Sequence, residues 1–296
     1  MTPLREKFHE FMELKNLSPR TIESYLAAVA KLARHFGKSP ELITQEMIYQ
    51  YILFLQRSGK DFSTCNVALS AFKCFYNQFL GNGTIVFKVP SRRGPKKLPA
   101  VYSQEEVNRI IQSVKSPKYR LIYMTAYGSG LRLSELLNLR VRDIDSDRMT
   151  IFVKSGKGNK DRHTLLPKTL LSELRSYYNL FRPESWLFYS TSKDKKLSQD
   201  SISRAFREAK RKASVTKEGG IHTLRHCFAT HLLEAGTDIK TVQYLLGHSD
   251  ISSTMVYLHV TNKLVSSVVS PLDATLDDEV DPFAAREVKK KEGKDE

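Results

Sequence analysis

The sequence predicts a mainly α protein with a small β-sheet, arranged as two domains. Three observations predict it. Apolar residues recur at helical spacing through residues 3–87 and again from 104 onward. The period changes to alternation around a Gly- and Lys-rich turn near 154–162. Between the two helical regions lies KVPSRRGPKKLPA (88–100), whose prolines stiffen it and whose cations keep it solvated, as in an interdomain linker. A chain of 296 residues is long enough to bury two cores.

The elements follow in order. Residues 3–12 form a short first helix. LSPRTIESYLAAVAKLARHFG opens the second, with Ser18 as N-cap and Pro19 at the first helical position. Its stripe is Ile22, Tyr25, Leu26, Val29, Leu32, Ala33 and Phe36, and Gly37 closes it. Thr44 starts a third helix with Met47, Ile48, Tyr51, Ile52 and Leu55 on one face. Ser63 starts a fourth, carrying Val67, Ala68, Phe72, Phe75, Tyr76 and Phe79. Residues 1–87 are therefore one helical domain. Past the linker, a capping box from Ser103 to Glu106 opens a helix at 104–114, and 117–128 and 133–139 follow. Met149–Val153 and His163–Leu166 are short strands that pair as a hairpin. Helix returns at 167–178, a strand is expected at WLFYS (186–190), and a strongly basic helix begins near Ser198. Residues 221–262 are helical in pieces. The domain 101–270 ends before a charged tail, 271–296, whose composition is that of a disordered segment.

Charge narrows the class of function. The chain carries a formal +15, and the last 26 residues hold nine acids and five bases, so the first 270 carry +19. A field of that size attracts polyanions, nucleic acid first. The cysteines, Cys65, Cys74 and Cys227, are odd in number and lack metal-ligand spacing, which implies reduced thiols in a cytoplasmic protein. The first residues, MTPLRE, have no signal-peptide character, and no stretch is apolar enough to span a membrane.

Five of the eight histidines fall within 221–260. His222 and Arg225 share a helical face, with His226 beside them. His248 follows a helix stop at Gly247, and Tyr257 lies nine residues on. The His222/His226 spacing suits zinc, but no Glu follows the first histidine, no cysteine pair accompanies them and an arginine occupies the face, so no metal is expected. Imidazoles, a guanidinium and a phenol in a DNA-seeking chain suit phosphoryl transfer onto the phenol. Tyrosine must lose a proton as it attacks phosphorus. Arginine stays charged and offers a planar fork to the oxygens. A second arginine is needed, and YGSGLRLSELLNL supplies Arg132 at a helix start, with Glu135 one turn on to orient it. A proton donor for the leaving oxygen is needed too, and KSGKGNKDR sets Lys157 at a β-turn tip. Each has an ordinary alternative: a surface ion pair for Arg132, a solvated turn residue for Lys157, a packed ring for each histidine and for Tyr257.

Together these segments resemble the tyrosine recombinase family of phage integrases, integron integrases and Xer recombinases. GLRLSELLNL resembles its first-arginine box and GKGNKDR its β-hairpin lysine. HTLRHCFATHLLEAGTDIKTVQYLLGHSDISSTMVYLHV resembles its H-x-x-R, G-H and tyrosine boxes in order and spacing. The second predicted helix resembles the start of its helical, SAM-like core-binding domain. The match covers about residues 4–262, with Ser129 where Thr is more usual.

The resemblance implies an N-terminal core-binding domain and a C-terminal α/β catalytic domain that clamp double-stranded DNA. It implies Tyr257 as the nucleophile that forms a 3′-phosphotyrosyl bond, with Arg132 and Arg225 on the scissile phosphate and Lys157 as general acid. His222 and His248 would relay the phenolic proton and bond the phosphate, and His226 and Thr230 would be structural. No cofactor is implied, since one phosphodiester is exchanged for another. A homotetramer on two DNA sites is implied, with 263–270 docking on a neighbouring protomer. For DNA contacts the residues point to Arg92, Arg93, Lys96 and Lys97 of the linker and to Arg204 and Arg207 of the basic helix. The missing insertion between Lys157 and His222 favours an Xer-like or transposon-borne enzyme over an integron integrase. A non-catalytic DNA-bridging protein and a type IB topoisomerase-like relaxer are the competing readings.

Overall fold

In the computed structural model, which describes residues 2–81, 99–154 and 161–258, the chain forms two compact units that part between residues 96 and 97. The first is all helical. It contains α1 (Pro3–Leu14), α2 (Pro19–Phe36), α3 (Gln45–Arg57) and α4 (Phe62–Phe72). Ser18 caps α2 by accepting from the Thr21 N–H, and Gly37 ends it in the left-handed region. Thr44 caps α3 in the same manner through the Met47 N–H. The apolar stripes of these helices meet in one core around Leu32, Ile48, Phe72 and Phe75.

Two details differ from the expectation for the fourth helix. Its cap is Asp61 rather than Ser63, because the carboxylate accepts from the Thr64 N–H at 2.7 Å and starts the helix earlier. Residues Lys73–Phe79 then wind as a π-helix. Cys74, Phe75 and Tyr76 are consecutive and all buried, which a single α-helical stripe does not accommodate.

The second unit begins with α5 (Gln104–Gln112), opened by the complete Ser103–Glu106 capping box. Next come α6 (Pro117–Gly128) and α7 (Leu133–Asn138). A three-stranded antiparallel sheet follows: β1 (Ile144–Asp145), β2 (Thr150–Val153) and β3 (Arg162–Leu165), in that order. The hairpin register sets Thr150 opposite Leu165 and Val153 opposite Arg162. β1 is only two residues long, too short to show a period. Then come α8 (Lys168–Phe181), α9 (Gln199–Lys212), α10 (His222–Glu234), α11 (Ile239–Leu246) and α12 (Ser252–Met255).

WLFYS is not a strand. Leu187 and Phe188 are adjacent and both buried, so they do not alternate, and the Leu187 N–H goes to the Leu139 carbonyl at 2.8 Å. Only an isolated bridge pairs Tyr189 with Lys196. The main core of this unit gathers Tyr123, Leu136, Ile151, Phe206 and Leu224. A smaller cluster of Phe228, Leu233, Val242, Leu246 and Tyr257 joins α10, α11 and the end of α12. Among the described residues no helix is long and apolar enough to cross a membrane.

The Asp61 cap makes a direct prediction. Asp61→Ala should destabilise the protein by about 1 kcal/mol, while Ser63→Ala should be close to neutral. Chemical denaturation of the two variants measures both; equal losses would return the helix start to Ser63.

Candidate active site

Glu135 lies in the first turn of α7, and 8% of it is exposed. Its two oxygens meet the guanidinium of Arg162 in a fork, at 2.9 and 2.8 Å. The same carboxylate accepts from Arg132 Nη1 at 2.7 Å and from the Arg132 backbone N–H at 2.8 Å. Arg225 Nη1 stands 3.8 Å away. Burial alone would raise the Glu135 pKa, but the Arg162 and Arg132 interactions outweigh it and hold the carboxyl at about 2. The sequence suggested Glu135 as a support for Arg132. It did not suggest Arg162, whose position at the start of β3 points it under the site.

The other anchor is the end of α11. Its last carbonyls lack intrahelical donors, and three consecutive ones each meet a different arginine. Arg162 Nε donates to Leu245 O at 2.9 Å, Arg225 Nη2 to Leu246 O at 2.6 Å, and Arg132 Nη2 to Gly247 O at 3.3 Å. Positive charge is favoured at that end of a helix. Gly247 must be glycine twice over: its φ is +62°, and a Cβ there would stand 2.7 Å from Arg162 Cδ. Gly130 has the same φ and lies against the Phe228 ring, which sets its carbonyl where Arg225 Nη1 reaches it at 2.6 Å. The neighbouring Ser129 is buried, and its carbonyl accepts from Thr164 at 2.8 Å.

Arg225 is 2% exposed. Burial, then the charge of Arg132, lowers its pKa to about 9, so the guanidinium is charged at neutral pH. His248 Nε2 stands 3.2 Å from Arg225 Nη2, and its Nδ1 stands 2.9 Å from Thr254 Oγ1. Both ring nitrogens are thereby engaged. Burial, and then Arg225 and Arg132, bring His248 down to about 4.

Tyr257 packs in the α10–α11 cluster and is 3% exposed. Burial raises its pKa, opposed by the charges of Arg225 and Arg132. Its hydroxyl is in hydrogen-bond contact with His226 Nδ1, at 2.9 Å. His222, in the first turn of α10, is exposed at the surface and meets the His226 ring edge to face at 4.9 Å. Partial desolvation, then Arg225 and Arg132, lowers the His222 pKa. Burial and then His222 and Arg225 take His226 to about 4. The signal for His226 was present in the sequence, one position after Arg225 on the same helix, but a histidine next to a predicted arginine is usually packing.

Arg132, Arg225, His222, His248 and Tyr257 therefore belong to one connected cluster. Arg204 and Arg207 do not join it: they are exposed on α9, opposite the buried Ile202, Phe206 and Ala209. Lys157, the linker cations Arg92, Arg93, Lys96 and Lys97, and the segments 263–270 and 271–296 lie outside the described residues. Among the described residues no group of three or more His, Cys, Asp or Glu side chains is arranged to hold a metal ion. A buried guanidinium and a half-buried one beside a buried phenol and a neutral imidazole can bind a phosphodiester and move a proton.

Known proteins resemble this chain in sequence and fold. The model of the phage integrase family matches residues 101–263, and that of the phage integrase N-terminal SAM-like domain matches residues 4–84. A putative integrase/recombinase of Sinorhizobium fredii, y4qK, is 38% identical over 275 residues, covering 92% of this chain and 89% of that protein. The tyrosine recombinase XerA of Pyrococcus furiosus is 34% identical over 269 residues, covering 89% and 92%. The crystal structure of a lambda integrase tetramer bound to a Holliday junction shares the fold, with a TM-score of 0.70 at 19% identity over 86% of this chain and 76% of that one.

Two predictions follow from the buried charges. Glu135→Gln strips the partner from buried guanidiniums and should cost about 3–5 kcal/mol of stability, measurable by denaturation; a near-neutral change would show that the α11 carbonyls suffice. The depressed His226 and His248 pKa values set a pH dependence. Unfolding returns both to about 6.5, so the unfolded chain binds more protons between pH 6.5 and 4. Their contribution to stability is complete above pH 6.5 and is lost as pH falls toward 4. Tm should therefore drop from pH 7 to pH 5, less steeply in His226→Asn.

Proposed function

This chain belongs to the phage integrase family, and from that premise we propose a role for each side chain of its cluster. It is a site-specific DNA recombinase, an enzyme that cleaves and rejoins DNA, in a family that works through a phosphotyrosyl intermediate. In our reading Tyr257 is the nucleophile. Its hydroxyl oxygen attacks the scissile phosphorus, a 3′-phosphotyrosyl bond forms, and the 5′ oxygen departs. Arg132 and Arg225 hold the non-bridging oxygens, where charge gathers in the transition state. Lys157 protonates the leaving oxygen. His222 and His248 bond the phosphate. Rejoining reverses each step, so no nucleotide is consumed.

The observation that supports this most is convergence. Arg132 comes from the α6–α7 turn, Arg225 from α10 and Tyr257 from beyond α12, and the charges of both arginines act on the Tyr257 hydroxyl. For the assembly, we propose a homotetramer that joins two double-stranded DNA sites through a Holliday junction, as the lambda integrase structure suggests. The helical domain 1–87 and the catalytic domain 101–270 would grip the duplex, and residues 263–270 would dock on a neighbouring protomer. Arg92, Arg93, Lys96 and Lys97 would follow the phosphate backbone, and Arg204 and Arg207 would enter a groove.

A nicked suicide duplex tests the chemistry. Wild-type protein should accumulate a covalent DNA adduct and Tyr257→Phe should form none; an adduct in the variant removes Tyr257 from its role. A plasmid carrying two sites should be resolved into two circles, whereas relaxation without resolution would mark a topoisomerase-like enzyme.

A further inference from the structure

We infer that His226 is a catalytic residue: its Nδ1 takes the proton of the Tyr257 hydroxyl as that oxygen attacks phosphorus, and returns it when the strand is rejoined. The inference rests on the reading of Tyr257 as nucleophile. It begins from the contact, 2.9 Å between His226 Nδ1 and the phenol oxygen, within the heavy-atom reach that proton transfer requires. The two rings lie 5.6 Å apart at 46°. A neutral imidazole that accepts at Nδ1 carries its own hydrogen on Nε2.

The other two histidines are less suited to the task. His248 has both ring nitrogens engaged, one with Arg225 and one with Thr254. That fixes it beside the guanidinium, where a phosphate oxygen would sit. His222 is exposed in the first turn of α10 and meets the edge or face of His226 rather than the phenol.

The electrostatics keep His226 free to act. Its surroundings are His222 and Arg225 on α10, His248 after α11 and Tyr257 after α12. Burial, then His222 and Arg225, hold its pKa at about 4, so at neutral pH it is an unprotonated base. A proton on it would be unfavourable while the site is empty. A bound phosphodiester brings one negative charge, and the pentavalent transition state adds another, which offsets the guanidiniums and makes the imidazolium acceptable. Proton transfer is thus coupled to the arrival of DNA. The step balances: the O–H bond of Tyr257 breaks as its O–P bond forms, the proton passes to Nδ1, and the P–O5′ bond breaks onto an oxygen that takes its proton from a separate donor.

The test uses full-length protein and two nicked duplexes, one with a natural scissile phosphate and one with sulfur in the 5′ bridging position. A departing thiolate needs no proton donor, so the sulfur substrate bypasses the general acid alone. His226→Ala and His226→Gln should bind DNA as wild type does and should cleave the natural duplex roughly 10²–10⁴ times more slowly. Gln offers the phenol an acceptor but cannot take its proton, which separates proton transfer from mere positioning and covers the case of an Ala variant that folds poorly. Sulfur should not restore either variant, while added imidazole should partly restore His226→Ala. Cleavage by His226→Gln at the wild-type rate, or full recovery with sulfur, would overturn the assignment. Tyr257→Phe, run alongside, reports on the nucleophile separately: an adduct there overturns the reading of Tyr257, not the contact with His226.

Discussion

One carboxylate buried among three guanidiniums is the constraint on which the catalytic unit depends. Glu135 meets Arg162 and Arg132 directly and stands near Arg225. Burying unpaired charge is costly, and the protein meets that cost with a dense set of acceptors at both ends of each guanidinium. The group is still unbalanced. Three arginines against one carboxylate leave a net +2 before any ligand enters. A phosphodiester supplies one negative charge, and the transition state of its displacement supplies a second. In the proposed mechanism the negative charge that develops on phosphorus would face this surplus of positive charge, the condition under which binding energy lowers a barrier rather than merely holding a substrate.

The scaffold orients those charges with backbone carbonyls as well as with the Glu135 carboxylate. The carbonyls of Leu245, Leu246 and Gly247 each fix a different arginine, and the Gly130 carbonyl fixes Arg225 from the other side. A guanidinium has five N–H groups in one plane. Once two edges are tied to backbone oxygens, the plane cannot turn, and the remaining N–H groups have a set direction. The direction of the guanidiniums thereby becomes a property of helix ends and turns, which the packing of α6, α10 and α11 holds in place. It also explains why two glycines occur at the site: each allows a backbone carbonyl to approach closer than a side chain would permit.

Much of this was legible in the sequence, for local reasons. Caps such as Ser18, Thr44 and Ser103, the stop at Gly247 and the hairpin around its Lys-rich turn are written in a few adjacent residues. The arginines, His248 and Tyr257 were legible through chemistry and through the family pattern. What was not legible depends on long-range contact. Arg162 looks like one more cation in KSGKGNKDR until the fold carries β3 beneath Glu135. His226 looks like packing until α12 delivers a phenol to it. WLFYS has strand-forming residues, but the pull of the core on both Leu187 and Phe188 overrides the alternation a strand would need. The cap at Asp61 was missed because a carboxylate two residues earlier competes for the same helix start.

Tyr257 is buried by its packing in the α10–α11 cluster. A phenol 3% exposed, with a pKa raised by its surroundings, is a poor nucleophile on its own. In the proposed mechanism the oxygen would become reactive only where phosphate, guanidinium and imidazole meet. A more exposed or more acidic tyrosine would ionise more readily, but it would do so without regard to DNA. In that mechanism, holding the proton on Tyr257 until a phosphate compensates the arginines would tie nucleophile activation to substrate binding. The free energy of binding is then expressed in the chemical step.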